Sequence, residues 1–518
     1  MKKIIALSLL SLSSSVMAQP EITAYYLSDT ENSEYASLTN LEEFAHTITT
    51  NQKTNFNRLV LSFVQPSLQF YKPEMNSLQC TGLFGNFCDS EPELITYIEQ
   101  QLTFDRLKLV IAELKDSGIE TYIALGGWNF SCNPDYYDKT TGQTGACGPA
   151  NSQYDSFPNP LDTHPRFEHP YTAQQARDSY DKVVSLASSL GASGIDIDYE
   201  EFWHADMNAF SWNITPDSVP ATNGVTYVST IDLENQGKGA EIYDDQGNFI
   251  FDNSTPRIMP DTVDKYAAII RQIKASIDES GTDLSLSTAA PATGAIPTMS
   301  ANWGVNARTL TTYGGAWWGG NLSGLIYNTA LKYPSDINAL SSIGIMDYDL
   351  SELDCDTSEG GNSDDSFIPC DLQGQELFYF GTFISWLKSG AYAVLEDGSH
   401  GFPLHAIVKG SPTYAANSIQ PQKLLITPDI NIGFEVGVPA TGSLILEKVD
   451  LSSILGHSSK GSKTGIIMWD LFKDVRVDSG VWQPTWASPQ DVLSESCKLM
   501  GLSGEQYDCD INNFSTTN

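Results

Sequence analysis

Gly191-Ala192-Ser193-Gly194-Ile195-Asp196-Ile197-Asp198-Tyr199-Glu200 is the stretch from which the chain is read. Three acids stand at two-residue spacing, interleaved with apolar residues. On a strand, alternate side chains share a face, so Asp196, Asp198 and Glu200 point one way and Ile195, Ile197 and Tyr199 the other. Carboxylates that close cannot all ionise freely, and at least one proton is held above the ordinary carboxylate range. Glu200, the last of the three, is the natural donor. A D-x-D-x-E pattern also suits a strand end that merely faces water, so context has to decide. The preceding 172–190 segment carries helical spacing (Ala176, Tyr180, Val183, Leu186, Leu190), and Gly191 and Gly194 punctuate a helix-to-strand turn. Acids at the C-terminal end of such a strand sit where α/β barrels keep their chemistry.

Working outward, strands are predicted at Ile22 to Leu27, Arg58 to Phe63, Glu120 to Leu125, Gly194 to Tyr199, Leu284 to Ala289, Ile343 to Tyr348, Lys423 to Thr427 and Gly465 to Trp469. Helices are predicted at Ser90 to Ser117 with a break near Thr103, at Thr172 to Leu190, at Asp261 to Ser280 and at Asp371 to Leu387. Alternation of this kind predicts an α/β fold, a (β/α)8 TIM barrel with long loop insertions after strands 4 and 6. Within the first insertion, the stretch from Tyr243 to Phe249 reads as a small hairpin. The domain reading is a signal peptide over 1–18, a barrel over 19–490, and a C-terminal tail over 491–518 clipped by cysteines.

Met1-Lys2-Lys3, the apolar run Ile4 to Leu12 and the small-residue end Val16-Met17-Ala18 read as a secretory signal cleaved after Ala18. The expected location is therefore extracellular or periplasmic. The formal charge is -36, which argues against nucleic acid or an anionic membrane as partner and suits a neutral or cationic polymer. The chain is expected to be a monomer. Eight cysteines in an exported chain favour disulfides, and positional neighbours suggest Cys80 with Cys88, Cys132 with Cys147, Cys355 with Cys370 and Cys497 with Cys509. The seven histidines show no H-E-x-x-H or paired zinc spacing, so neither a catalytic metal nor another cofactor is expected. Asp354, Asp356 and Ser358 open like a calcium loop, but Glu359 stands where the sharp turn wants glycine, and the 352–365 segment is read as a solvated acidic loop.

The 193–200 stretch resembles the D-G-x-D-x-D-x-E signature of the family 18 glycoside hydrolases, the chitinase family, with Ser193 in place of the first acid. Further landmarks follow in the family's order. Ala124-Leu125-Gly126-Gly127-Trp128 is similar to S-x-G-G, with Ala124 for the serine; Met346-Asp347-Tyr348-Asp349 is similar to M-x-Y-D; and Gly465-Ile466-Ile467-Met468-Trp469-Asp470 ends on the tryptophan that the family keeps under the sugar being cleaved. The resemblance implies a secreted chitinase that cuts β-1,4 linkages between N-acetylglucosamine units with retention, by a substrate-assisted route. It places Glu200, Asp198, Asp196 and Tyr348 in catalysis. It places Asp349, Met346, Trp469, Trp128, Gly127, Tyr199, Tyr25 and Trp203 around chitin or a chito-oligosaccharide. Processive members carry an extra α+β insertion after the seventh strand, for which this chain has no room, so endo action is expected. Two other readings stand beside this one: an endo-β-N-acetylglucosaminidase acting on N-glycans, and a non-catalytic chitin-binding lectin on the same barrel.

Overall fold

The structure is a computed structural model, and it describes residues 19–28, 34–88, 90–127, 130, 137–138, 143–144, 157–161, 172–200, 225–228, 241–244, 260–292, 325–350, 371–384, 426–440, 444–458, 464–475 and 482–514. Eight parallel strands close a barrel: β1 (Ile22–Leu27), β2 (Arg58–Val64), β3 (Glu120–Gly126), β4 (Gly194–Asp198), β5 (Ser285–Pro291), β6 (Ser342–Met346), β7 (Asp429–Glu435) and β8 (Ile466–Trp469). Each pairs with its neighbours in sequence, and β8 closes on β1 through Ile22 opposite Ile466. Among the described residues, eight helices of eight residues or more alternate with these strands: α1 (Leu38–Asn51), α2 (Leu94–Asp116), α3 (Ala173–Leu190), α4 (Pro260–Ser280), α5 (Leu325–Lys332), α6 (Leu372–Ile384), α7 (Lys448–Ser458) and α8 (Pro489–Met500). The predicted (β/α)8 barrel is the fold observed.

Local chemistry explains the unit that carries the acids. Thr172 caps α3 through a reciprocal capping box with Gln175, and Gly191 ends the helix in the left-handed conformation, φ 79°. In β4 every residue is buried, but the two faces go to different places. Ile195 and Ile197 join the large apolar cluster between sheet and helices, whereas Asp196 and Asp198 turn into the barrel. A smaller inner cluster of Tyr25, Val60, Tyr122, Ala124, Ala289, Met346 and Ile467 fills the barrel, with Phe63, Tyr348 and Trp469 packed on it. At the N-terminal end of the barrel, Arg58 takes Glu21 in a two-pronged pair at 2.9 Å per contact, lies 4.1 Å from the centre of the Tyr122 ring and donates to Ser342. Asn431 donates to Glu21 and accepts from the amide of Gly465. The barrel therefore has a polar plug below and its acids above.

Two sequence expectations are corrected. The seventh strand lies at Asp429–Glu435, not at Lys423 to Thr427. Its inward positions are Asn431, Gly433 and Glu435, so it alternates instead of reading as a continuous apolar run. Helix α2 is unbroken at Thr103. Apolar residues occupy two of its faces, with Phe104, Leu107, Val110, Ile111 and Leu114 buried and Leu94, Ile95, Ile98, Leu102 and Leu109 exposed, which makes its periodicity change phase where the break was expected. Of the stretch read as a hairpin, Tyr243 and Asp244 belong to a strand, Glu241–Asp244, that pairs antiparallel with Val225–Val228, and residues 245–249 lie outside the described residues.

The disulfides Cys80–Cys88 and Cys497–Cys509 are formed as paired above. The pairs at 132/147 and 355/370, and the acidic loop 352–365, lie outside the described residues. No helix among the described residues is long and apolar enough to cross a membrane, and no group of three or more His, Cys, Asp or Glu among them is placed to hold a metal. Beyond α8 the chain returns to the α1–β2 turn, where Thr54 exchanges backbone bonds with Gln506 and Asp508.

The end of β3 shows why a glycine pair stands there. Gly126 has φ +106°, and a Cβ on it would lie 2.3 Å from the carbonyl oxygen of Asp198 and 2.4 Å from the Phe157 ring. Gly126→Ala is expected to destabilise the fold by about 2–4 kcal/mol, combining left-handed strain with overpacking against backbone that cannot yield. Urea unfolding of the variant checks this.

Candidate active site

The site is built at the C-terminal end of the barrel by residues that alternate inward. Asp196 sits between Ala124 on β3 and Ser287 on β5 in strand register. Tyr25 Oη donates to Asp196 Oδ2 at 2.7 Å and Ser287 Oγ to Asp196 Oδ1 at 2.5 Å. Both oxygens of Asp196 are thus engaged by protein. The hydroxyl absent at Ala124 on one neighbouring strand is supplied by Ser287 on the other, a residue the sequence reading missed although its inward place in the alternating β5 was visible. Ser193 precedes β4 and bonds both neighbouring strands through its backbone, to Thr121 and from Ser285.

Asp198 and Glu200 are 3% and 6% exposed, and their carboxyls are hydrogen-bonded to each other. Burial pushes Asp198 up, the charge on Asp196 pushes it further, and the bond from Glu200 partly relieves it. Glu200 is raised well above a carboxylate's ordinary value, first by burial, then by the charge of Asp198, the bond to it and the charge of Asp349. Both carboxyls therefore keep protons to higher pH than ordinary carboxylates, and Glu200 is the donor of the bond between them. Asp198 Oδ1 and Glu200 Oε2 are buried and have no hydrogen-bond partner in the protein. The oxygen of each carboxyl that lies outside their mutual bond is therefore open to a bound molecule.

Above β6, Tyr348 and Asp349 join this group. Tyr348 is raised well above a phenol's ordinary value by burial and then by the charges of Asp198, Glu435, Asp349 and Glu200, which names its neighbours. Asp349 is buried and adopts the left-handed backbone, φ 58°. Met346 is part of the inner cluster beneath them. Trp469, at the end of β8, stacks on Phe63 with centroids 5.5 Å apart and planes 25° from parallel, and meets Tyr25 at 5.9 Å. Gly127 donates its amide to the carbonyl of Asp198 at 2.9 Å, and a Cβ on it would strike Phe63 at 2.6 Å. Glycine there lets Phe63 support Trp469.

Tyr199 is corrected: it lies on the opposite face, buried between Phe157 at 5.0 Å and Tyr266 at 5.4 Å, and packs the back of β4 instead of facing the barrel. Trp128 and Trp203 lie outside the described residues. The misplaced seventh strand hid Glu435, whose buried carboxyl pairs with Lys473 and lies within hydrogen-bonding reach of Asp349.

Behind the site, Asp347 points outward to Glu376 of α6. Burial raises Asp347; burial and then the charges of Asp347 and Asp450 raise Glu376. Neither oxygen of Asp347 has a hydrogen-bond partner. Acids raised on folding contribute stability that is whole below their unfolded values and is lost as pH rises through the folded ones. The melting temperature is expected to fall from pH 5 to pH 8, and Asp347→Asn to flatten that fall; calorimetry across the range checks it.

No protein-family model and no curated protein matches the chain. Among solved structures, the GH18 chitinase from Pseudoalteromonas aurantia overlaps 88% of this chain and 95% of its own at 12% identity and a TM-score of 0.38. The ChiA C-terminal domain of Legionella pneumophila overlaps 88% and 94% at 11% identity and 0.38. Active domain 2 of the thermostable chitinase from Pyrococcus furiosus, solved with chito-oligosaccharides, overlaps 93% and 97% at 12% identity and 0.37. At these values the overlap assigns neither family nor activity to the chain, and the barrel rests on its own strand pairing.

Proposed function

We propose that the protein is a secreted retaining glycoside hydrolase that cleaves β-1,4 bonds between N-acetylglucosamine units. The observation that carries this reading is the buried, mutually hydrogen-bonded Asp198–Glu200 pair, each with one oxygen left for a ligand. A glycosidase needs an acid at the leaving oxygen, and Glu200 holds its proton where an ordinary glutamate would have lost it. The free oxygen of Asp198 suits an acetamido N–H. The sugar's own acetamido oxygen then attacks the anomeric carbon, the C–O bond to the leaving sugar breaks, and Glu200 delivers the proton to that oxygen. Asp198 offsets the positive charge developing on the oxazolinium ring, Tyr348 holds the acetamido oxygen in line, and Asp196 keeps Asp198 in place through its own bonds to Tyr25 and Ser287. Water activated by Glu200 reopens the ring with retention.

Trp469, backed by Phe63, offers a flat apolar face for a pyranose ring. About 30 residues separate β7 from β8, which favours an open cleft and endo cutting. The disulfides and the 1–18 segment support export. The substrate class is tested by offering chitin oligomers and a chitobiosyl N-glycan side by side. Chito-oligomer products support the reading; glycan release with intact chitin oligomers makes the protein an N-glycan enzyme; binding of chitin without turnover makes it a lectin.

A further inference from the structure

Helix α2 carries two apolar faces, and the fold uses one of them. Tyr97, Phe104, Leu107, Val110, Ile111 and Leu114 are buried against the barrel. On the opposite side Leu94, Ile95, Ile98, Leu102 and Leu109 are 61%, 62%, 53%, 69% and 65% exposed. Among the described residues, α2 is the one helix that exposes more than one large aliphatic side chain. Isolated exposed leucines are ordinary, but a continuous stripe of them marks a surface that another body covers.

The spacing says what kind of body. Ile95, Ile98, Leu102, Asp105, Leu109 and Ala112 follow one another in steps of three and four, and all are exposed. A repeat of this period is the seam of two helices packed side by side, each side chain entering a gap on the other helix. The occupant is therefore a helix with a matching stripe, and among the described residues that helix is α2 of a second copy. Charge points the same way. The chain carries a formal -36, which sets most of its surface against another copy, whereas α2 carries Arg106, Lys108 and Lys115 against Glu99, Asp105, Glu113 and Asp116. It is a face on which two copies meet with little net repulsion. Direction follows from the same residues. Parallel copies would set Asp105 against its own copy inside the seam. Reversed, Ile98 falls against Leu109 of the second copy, Ile95 against Ala112 and Leu102 against Asp105, and the exposed Glu93 and Glu99 of one copy lie along the half that carries Lys108 and Lys115 in the other.

We propose that two copies of this chain associate through α2 as an antiparallel, two-fold symmetric dimer, in place of the monomer expected from the sequence. The stripe runs about 22 Å from Leu94 to Leu109 at 1.5 Å per residue. A helix pair of that length lies at the small end of stable interfaces, about 800 Å² per partner, so the dissociation constant is expected to be about micromolar. Because α2 lies on the outer wall and runs against the strands, the two barrel mouths open to opposite ends and neither site is covered. The dimer does not rest on the glycosidase reading.

Sedimentation velocity on the whole chain, from about 0.1 to about 100 μM, is expected to show monomer giving way to dimer. Leu102→Glu places a charge in the seam of both copies and is expected to weaken the dimer about 100-fold or more. Its melting temperature in dilute solution is expected to match the wild type, since the side chain is exposed in the single chain. Asp105→Leu removes the acid from the seam and is expected to tighten the dimer about tenfold. Under oxidising conditions Ile98→Cys/Leu109→Cys is expected to cross-link two copies, and Ile98→Cys alone to leave them separate. Wild-type protein that stays monomeric at the highest concentration overturns the proposal and gives the stripe to a different partner, and a dimer that Leu102→Glu leaves intact overturns it as well. Cross-linking by Ile98→Cys alone overturns the antiparallel arrangement.

Discussion

Glu200→Gln is expected to lose about 10³-fold or more in kcat on chito-oligomers, in line with removal of a general acid that also serves as the base for water. Glutamine keeps the shape and can still donate to Asp198, so the fold should persist. Stability should in fact rise at alkaline pH. Glu200 is buried and raised well above its ordinary value by burial and the charge of Asp198. A raised acid costs the folded chain stability as pH climbs through its folded value, and the amide has no proton to release. The variant therefore separates chemistry from folding: turnover is lost while the melting temperature at pH 8 is equal to or above that of the wild type. Steady-state kinetics and calorimetry on one preparation check both halves.

Asp198→Asn should cost about 10²-fold, the scale of a single preorganised charge facing a developing cation. Its effect on pH dependence is more specific. In the proposed mechanism the active form of the pair holds one proton, so activity falls at low pH when a second proton binds and at high pH when the shared one leaves, a bell. The asparagine variant has one titrating carboxyl at that position, which abolishes the acidic limb. The charge of Asp198 is the second-largest cause that raises Glu200, so its removal lets the alkaline limb move down. A single descending limb at lower pH than in the wild type is the expected profile.

The same code wrote two strands, and only one was read. In β4 the order Gly-Ile-Asp-Ile-Asp sends isoleucines outward and acids inward, and three acids at period two stand out. In β7, Asp-Ile-Asn-Ile-Gly-Phe-Glu does the same, with Ile430, Ile432 and Phe434 in the outer cluster and Asn431, Gly433 and Glu435 turned in. Strands buried on both faces usually read as continuous apolar runs, so the nearby Lys423-Leu424-Leu425-Ile426-Thr427 looked the better strand. This barrel departs from that habit because its interior is partly polar: Asn431 ties Glu21 to the amide of Gly465, and Glu435 meets Lys473. Once β7 is placed by alternation, Glu435 follows.

Asp196 was legible as an acid but not its partners, since Tyr25 and Ser287 come to it from strands far away in sequence. Tyr199 directly follows β4, and its odd-numbered place in the same alternation already sends it to the outer face and away from the site. Asp347 carries the same lesson from β6: it stands between two inward residues and therefore looks outward, to Glu376.

The most direct test of the central claim is the anomeric form of the first product released from a chitin tetramer, followed by 1H NMR within seconds of mixing, with Glu200→Gln as the control. β-Anomer product from the wild type, absent in the variant, is the result this account predicts. Release of the α-anomer, or hydrolysis undiminished in Glu200→Gln, would contradict it.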